Sequence, residues 1–298
     1  INAIRHPISE DLYQVTTEGG YSTKVTCSHS LMVFDKEKFE IVPKKTNELK
    51  NGDLLVSVTK VPNKEDLTKL NLIELLSKTN ADKTLIIENN RIKCKGSQYS
   101  LPIELPITPE LCRLLGYYAA EGSVNEKDGI VLTFDLKEEE TLVRDAINCV
   151  KKVFSLENVR VNKLKDSMQV IFGGLLACIL FEKAFGMRKY AQNKSAPDFI
   201  YNAPNECKIE FLKGCFFGDG CMITKQKFYR LKLTTISRKL ASDVIFLIKQ
   251  LSGNAMIKEY APSGRQRKLY YNVMISDKKT LNILQGICLE KVRHNKEK

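Results

Sequence analysis

Two copies of one short string constrain this chain more than any other feature of its 298 residues. Leu114-Leu115-Gly116-Tyr117-Tyr118-Ala119-Ala120-Glu121-Gly122 and Leu212-Lys213-Gly214-Cys215-Phe216-Phe217-Gly218-Asp219-Gly220 each close an apolar helical pattern on an acid followed by glycine. The same order of elements surrounds both. A helix predicted from Thr108 or Pro109 to Ala120 leads to a strand at Ile130 to Phe134, a helix at Glu138 to Phe154, strands at Val159 to Leu164 and Met168 to Phe172, and a helix at Leu175 to Phe185. The series then restarts. Helix Glu206 to Phe217 precedes strands near Met222 to Thr224 and Tyr229 to Thr235, helix Arg238 to Leu251, strands Ala255 to Glu259 and Tyr270 to Ile275, and helix Lys278 to Val292. The pattern predicts an α+β fold in which two tandem αββαββα units, about 106–200 and 201–298, make one domain over 106–298.

Residues four apart share a helix face, so Gly116 with Ala120, and Gly214 with Gly218, leave each helix a strip with almost no side chain. Helices packed along two such strips bring Glu121 beside Asp219. That placement is unfavourable by itself. Each carboxylate meets the negative end of a helix dipole and the two repel each other, at up to about 1 kcal/mol or more per effect when partly buried. A divalent cation removes the conflict. Hard carboxylate oxygens, with water and phosphate completing the shell, suit Mg²⁺. Metal-assisted phosphodiester hydrolysis also needs no covalent intermediate, in keeping with the lack of a Ser/His/Asp or Cys/His set. One Glu-Gly or Gly-Asp-Gly at a helix end is a common turn; two in matching frames point to a site.

The paired strings resemble the LAGLIDADG, or dodecapeptide, signature of homing endonucleases, over about Thr108 to Val292. The resemblance implies a monomer with internal pseudo-twofold symmetry, two curved sheets forming a saddle over double-stranded DNA, and one acid from each motif holding metal. Those acids are Glu121 and Asp219, next to Gly122 and Gly220. Glu121 departs from the commoner Asp. The resemblance also implies a basic residue near each metal. Lys194, in Asn193-Lys194-Ser195-Ala196-Pro197, is the candidate in the first unit, and Lys291 or Lys296 in the second.

Charge agrees with a DNA partner. The formal net charge is +12, and the basic residues recur on short strands instead of along one amphipathic helix. Arg160 and Lys163 lie on one strand, Lys225, Lys227, Arg230 and Lys232 on another, and Lys258 with Arg265, Arg267 and Lys268 around a hairpin. Such side chains are what β-ribbons bring to phosphates and base edges, although singly they also coat solvated sheet faces.

Residues 1–60 read as a small all-β unit, with strands at Leu12 to Thr16, Tyr21 to Val25, Leu31 to Phe34, Phe39 to Val42 and Leu54 to Val58. Thr26-Cys27-Ser28-His29-Ser30 resembles the Thr-x-x-His block of inteins and related Hint domains, and Glu48 to Leu55 resembles the segment after it. In that family the threonine and histidine assist an acyl shift at the upstream splice junction. Inteins often carry a LAGLIDADG nuclease as an insertion, and the whole arrangement resembles archaeal DNA polymerase inteins. Splicing requires a nucleophilic first residue, and this chain starts at Ile1; His294-Asn295 is followed by Lys296 where Cys, Ser or Thr is needed. The expectation is a partial Hint fragment in which Thr26 and His29 are vestigial. Residues 61–105, with a helix at Asn71 to Ser77, read as a connector or an accessory DNA-contacting arm.

Nine cysteines with no Cys-x-x-Cys pair, several on apolar helical faces (Cys112, Cys149, Cys178, Cys215), read as buried thiols in a reducing, cytoplasmic setting. The three histidines stand far from any close cysteine pair, which argues against zinc. No stretch approaches the roughly 20 apolar residues that a membrane span requires. A cleavage-inactive, maturase-like binding protein and a splicing intein are the rival readings of the same residues.

Overall fold

Alternation of apolar and polar residues on either side of Gly19-Gly20 folds the N-terminus into an antiparallel hairpin of β1 (Leu12–Thr16) and β2 (Ser22–Thr26). The structure is a computed structural model, and it describes residues 7, 9–58, 60–77, 79, 84–97, 99–136, 139–156, 159–225, 228–262 and 268–287. After the hairpin, β3 (Ser30–Asp35), β4 (Glu40–Lys45) and β5 (Leu54–Leu55) form a separate antiparallel sheet in the order β4-β3-β5. Val33 is the one buried hydrophobic residue among those described before residue 60, while Phe39 and Val58 are 82% and 62% exposed. So little burial cannot hold this unit together alone. The hairpin instead leans on the C-terminal part of the chain. Ile257 N–H donates to Gly19 O at 2.9 Å, and Tyr21 OH donates to Ala255 O at 2.5 Å. Gly20 is required there twice over: its φ is +80°, and a Cβ would sit 1.7 Å from Ile257 O.

The next stretch holds β6 (Lys69–Asn71), α1 (Leu72–Ser77), β7 (Leu85–Glu88), β8 (Arg91–Cys94), β9 (Ser100–Pro102) and β10 (Glu104–Pro106). β6 pairs with β10, and β7-β8-β9 form a three-stranded sheet. Leu70, Leu72, Leu76, Ile92, Leu101 and Leu105 are buried in the same hydrophobic core as the rest of the chain. This stretch therefore contributes residues to the shared hydrophobic core.

Two units of equal plan follow. The first contains α2 (Pro109–Glu121), β11 (Gly122–Asn125), β12 (Gly129–Asp135), α3 (Glu139–Phe154), β13 (Arg160–Lys163), β14 (Ser167–Gly173) and α4 (Gly174–Ile179), which widens into a π turn over Leu180–Ala184. The second contains α5 (Asn205–Asp219), β15 (Gly220–Lys225), β16 (Phe228–Thr235), α6 (Arg238–Gln250), β17 (Met256–Tyr260), β18 (Tyr270–Ile275) and α7 (Lys278–Ile283). Thr108, Ser237 and Asp277 start α2, α6 and α7 by accepting from the N–H three residues on. Both sheets are antiparallel with one strand order, β11-β12-β14-β13 and β15-β16-β18-β17.

The predicted element order therefore recurs in both units, with three differences. β11 escapes a periodicity reading because Gly-Ser-Val-Asn offers a single apolar residue. The helix predicted to run to Phe185 is interrupted by its π turn. The last helix breaks at a turn at Leu284 and residues 285–287 are helical again, while Lys291, His294, Asn295 and Lys296 lie outside the described residues.

Candidate active site

The site forms where α2 and α5 end. A methyl group on Gly116 would lie 2.2 Å from Phe211 O and 2.9 Å from Gly214 Cα; one on Gly214 would lie 2.3 Å from Arg113 O. The two backbones touch at the paired glycines, as the small-residue strips require. One turn further, a methyl on Gly218 would meet Ala120 Cβ at 2.5 Å and Glu121 Oε1 at 3.2 Å. The Glu121 carboxylate thus lies against the residue preceding Asp219. Each acid is the last residue of its helix, and the next residue opens a strand. At the far ends of the helices, Arg113 joins three elements: its Nε donates to Glu210 at 2.5 Å and its Nη1 to Asp145 at 2.7 Å.

Gly122 and Gly220 have ordinary extended backbones, with φ of −84° and −100°. Glycine is present there for space, since a Cβ would fall 2.5 Å from Tyr118 O or 2.2 Å from Phe216 O.

Lys194 reaches the same tip. It is 3% exposed, and its Nζ donates to Tyr118 O at 2.9 Å and Gly122 O at 2.8 Å, capping the carbonyl end of the helix that carries Glu121. The ammonium also sits 3.5 Å from the centroid of the Tyr118 ring. Burial pushes its pKa down to about 7, against the upward pull of Glu182 and Asp219. The pull of Asp219 ties this lysine electrostatically to the second motif as well as to the first. Tyr118 and Glu182 went unread in the sequence. Tyr118 looks like any core aromatic of a helix, and Glu182 is an ordinary charge in a helical run.

The donor set fits a hard divalent cation that is only partly held by protein. Among the described residues no three His, Cys, Asp or Glu side chains cluster so as to hold a metal. A pair of carboxylates such as Glu121 and Asp219 is a donor set that suits an ion which keeps most of its waters. Gly122 fits the role of ligand poorly, because its carbonyl already accepts from the Lys194 ammonium and a cation there would face like charge.

The basic residues divide by strand register. Arg160 pairs with Ile171, which pairs with Val131, on the sheet face opposite to Leu132, Val170 and Phe172. Lys163, three residues on, pairs with Met168, which pairs with Phe134, and so shares the core-side parity at the strand end. Arg230, Lys232 and Lys258 all lie opposite the core face of the second sheet, Lys258 in register with Asn272 and Thr234. Lys225 pairs with Phe228 at the turn end of that sheet. Lys268 is exposed and donates to Gln192 at 3.3 Å. Lys227, Arg265 and Arg267 lie outside the described residues. Arg160 is partly neutralised by Asp128 at 2.6 Å, so the basic character of the described outer faces is concentrated in the second unit. A groove of about 830 Å³ between the N-terminal hairpin and β17 is lined by Lys24, Arg238 and Lys258 but by neither acid, and so lies apart from the meeting ends of α2 and α5.

Thr26 and His29 share one tight turn after β2: His29 N–H donates to Thr26 O at 3.1 Å, and His29 O accepts from Thr46 N at 2.9 Å. The histidine is exposed and the threonine half-buried. Among the described residues, which include His29 and eight free cysteines, no group of three or more metal-ligating side chains occurs.

The model of the intein splicing domain matches residues 1–280, and the chain belongs to that family. It is 27% identical over 255 residues to transcription initiation factor IIB of Methanocaldococcus jannaschii, covering 86% of this chain and 29% of that protein. It is 31% identical over 170 residues to the DNA polymerase of Thermococcus hydrothermalis, covering 56% of this chain and 10% of that protein. The chain thus spans about a third or less of the length of these curated relatives. Among solved structures, it is similar to the N-terminal LAGLIDADG domain of DUF199/WhiA (17% identity, 60% of this chain, 82% of that one, TM-score 0.40). It is similar also to I-DmoI in complex with DNA and Ca (12% identity, 61% and 90%, TM-score 0.41).

Proposed function

We propose that this chain is the endonuclease-bearing part of an intein and that it cuts double-stranded DNA at one long, asymmetric site, the uninterrupted copy of its host gene. The observation that carries the reading is the convergence of Glu121, Asp219 and buried Lys194 where α2 and α5 meet at Gly116 and Gly214. The relatives support the inserted character: one stretch matches a transcription factor, a DNA polymerase and a ribonucleoside-diphosphate reductase subunit, each over a minority of its length.

Glu121 and Asp219 would hold the divalent ion, which supplies Lewis acidity and charge neutralisation for phosphodiester hydrolysis. Mg²⁺ is the ion this donor set suits best. The two carboxylates fix the cleavage point relative to both sheets. Lys194, with a pKa near 7, holds a proton and gives it up near neutral pH, at an atom anchored to the carbonyls of Tyr118 and Gly122. Arg160, Arg230, Lys232 and Lys258 then face the duplex from the two outer sheet faces, joined by exposed Lys268 just before β18. The molecule acts as a monomer, its two units related by a pseudo-twofold axis between α2 and α5. The test is incubation with a plasmid bearing the empty insertion site, with Mg²⁺ or with chelator. Linear product in Mg²⁺ alone supports the reading; tight binding with no nicking in either condition favours a maturase-like protein.

A further inference from the structure

Helix α6 of the second unit carries three polar residues that are almost completely buried: Ser237 at its N-cap (0% exposed), Asp243 (4%) and Gln250 (4%). Asp243 and Gln250, seven residues or about two turns apart, share one face, and Ser237 caps the start of the helix. Burying a polar group is costly unless it is hydrogen-bonded, and these three bond to another part of the chain, although Gln250 Oε1 has no partner among the described residues. All three reach one short strap, residues 194–201, that links the first unit to α5. Ser237 Oγ donates to Lys194 O at 2.6 Å, the Asp243 carboxylate accepts from Ala196 N–H at 3.0 Å, and Gln250 Nε2 donates to Tyr201 O at 2.9 Å. Asp243 is also ion-paired with Lys239 one turn earlier on the same helix.

We infer that Ser237 and Asp243 are positioning residues: the second unit sets, through them, where the Lys194 ammonium stands at the catalytic tip. The inference rests on the nuclease reading above. Lys194 leaves the strap at the atom next to the one Ser237 holds, and its side chain ends on Gly122 O, one residue past Glu121. The two anchors lie on opposite sides of this lysine, one on each unit. Loosening the strap therefore displaces a group that serves one strand cut, and leaves both acids and the outer sheet faces in place. A displacement near 1 Å is enough to slow a reaction about a hundredfold.

The test compares Ser237→Ala and Asp243→Ala with Ser237→Thr and Asp243→Asn, which keep a hydroxyl donor and a carbonyl acceptor. Two readouts are taken on the full chain. One is the accumulation of nicked plasmid in Mg²⁺ at saturating protein; the other is acetylation of Lys194 by acetic anhydride, mapped by mass spectrometry without DNA or metal. Both alanine variants should bind target as tightly as the parent, slow one strand cut about tenfold or more so that nicked circles accumulate, and acetylate Lys194 faster. The conservative variants should restore both properties. Unchanged labelling and unchanged strand rates would overturn the inference, and so would equal slowing of both strands with lowered melting temperature, the mark of general loosening. A parent that binds but never nicks would instead overturn the nuclease reading, and the labelling would still decide whether α6 fixes Lys194.

Discussion

Glu121 and Asp219 are each asked to do what a helix C-terminus disfavours, and side chains so placed are retained where charge is needed. Glu121→Gln and Asp219→Asn should each reduce cleavage at least a hundredfold while leaving DNA affinity within about threefold, since an amide keeps shape and loses the negative ligand. Plasmid cleavage and gel-shift titration on the same preparations check this, and parental cutting by either variant would remove that residue from the site. Lys194 makes a separate prediction about stability. Its pKa is about 7 in the fold and returns towards the ordinary 10.5 on unfolding, so between these values the unfolded chain binds more protons. Stability must then rise with pH across that window. Lys194→Met should flatten this rise in melting temperature between about pH 7 and pH 10; an identical slope in the variant would show that the ammonium is not desolvated as described. The sequence put forward the two acids because a doubled motif ends on them, and Lys194 because it follows the first unit's last helix and leads into the second motif helix. Ser237 and Asp243 could not, for each looks like an ordinary helix cap or surface acid until the strap is seen lying on it.

At the scale of elements, the contact of α2 with α5 decides the geometry. Helix propensity favours alanine over glycine by about 0.8–1.0 kcal/mol, but overpacking a close contact costs about 1–3 kcal/mol or more. At Gly116 the clash is with the backbone of α5, which cannot swing aside. Gly116→Ala should therefore lower the melting temperature by several degrees and depress cleavage along with it. Gly286→Ala has open space around its Cβ and should leave the melting temperature unchanged or slightly raised. Thermal melting by circular dichroism checks both signs, and a stabilised Gly116→Ala would mean that the helices stand further apart than described. The strips themselves were legible in the spacing of Gly116, Ala120, Gly214 and Gly218. The short strand β11 was not, because its pairing with β12 supplies the order that its own residues do not.

For the whole molecule, one hydrophobic core runs from Leu70 to Ile287, and the N-terminal β unit adds Val33 to the buried hydrophobics without joining that core. A chain beginning at residue 61 should keep a cooperative melting transition, whereas deletion of residues 61–105 should abolish it by removing Leu70, Leu72, Ile92 and Leu101 from the core. DNA affinity should fall steeply with salt, because binding through lysine and arginine releases counterions from the duplex. A flat dependence between about 50 and 200 mM salt would take the basic outer faces out of the interface.

The order of elements, the paired acids and the glycine strips were settled by local sequence, because periodicity and repetition are properties of neighbouring residues and survive without coordinates. What tertiary structure alone decided concerns residues far apart in the chain. Strand register put Arg160 and Lys163 on opposite parities although both are basic and three apart. Packing drew residues 69–106 into the core, and it carried α6 over the strap so that the second unit holds the first unit's lysine. The physical reason is the same in each case. A side chain's face and its distant partner are set by which backbones pair and pack, and no window of local pattern contains that choice.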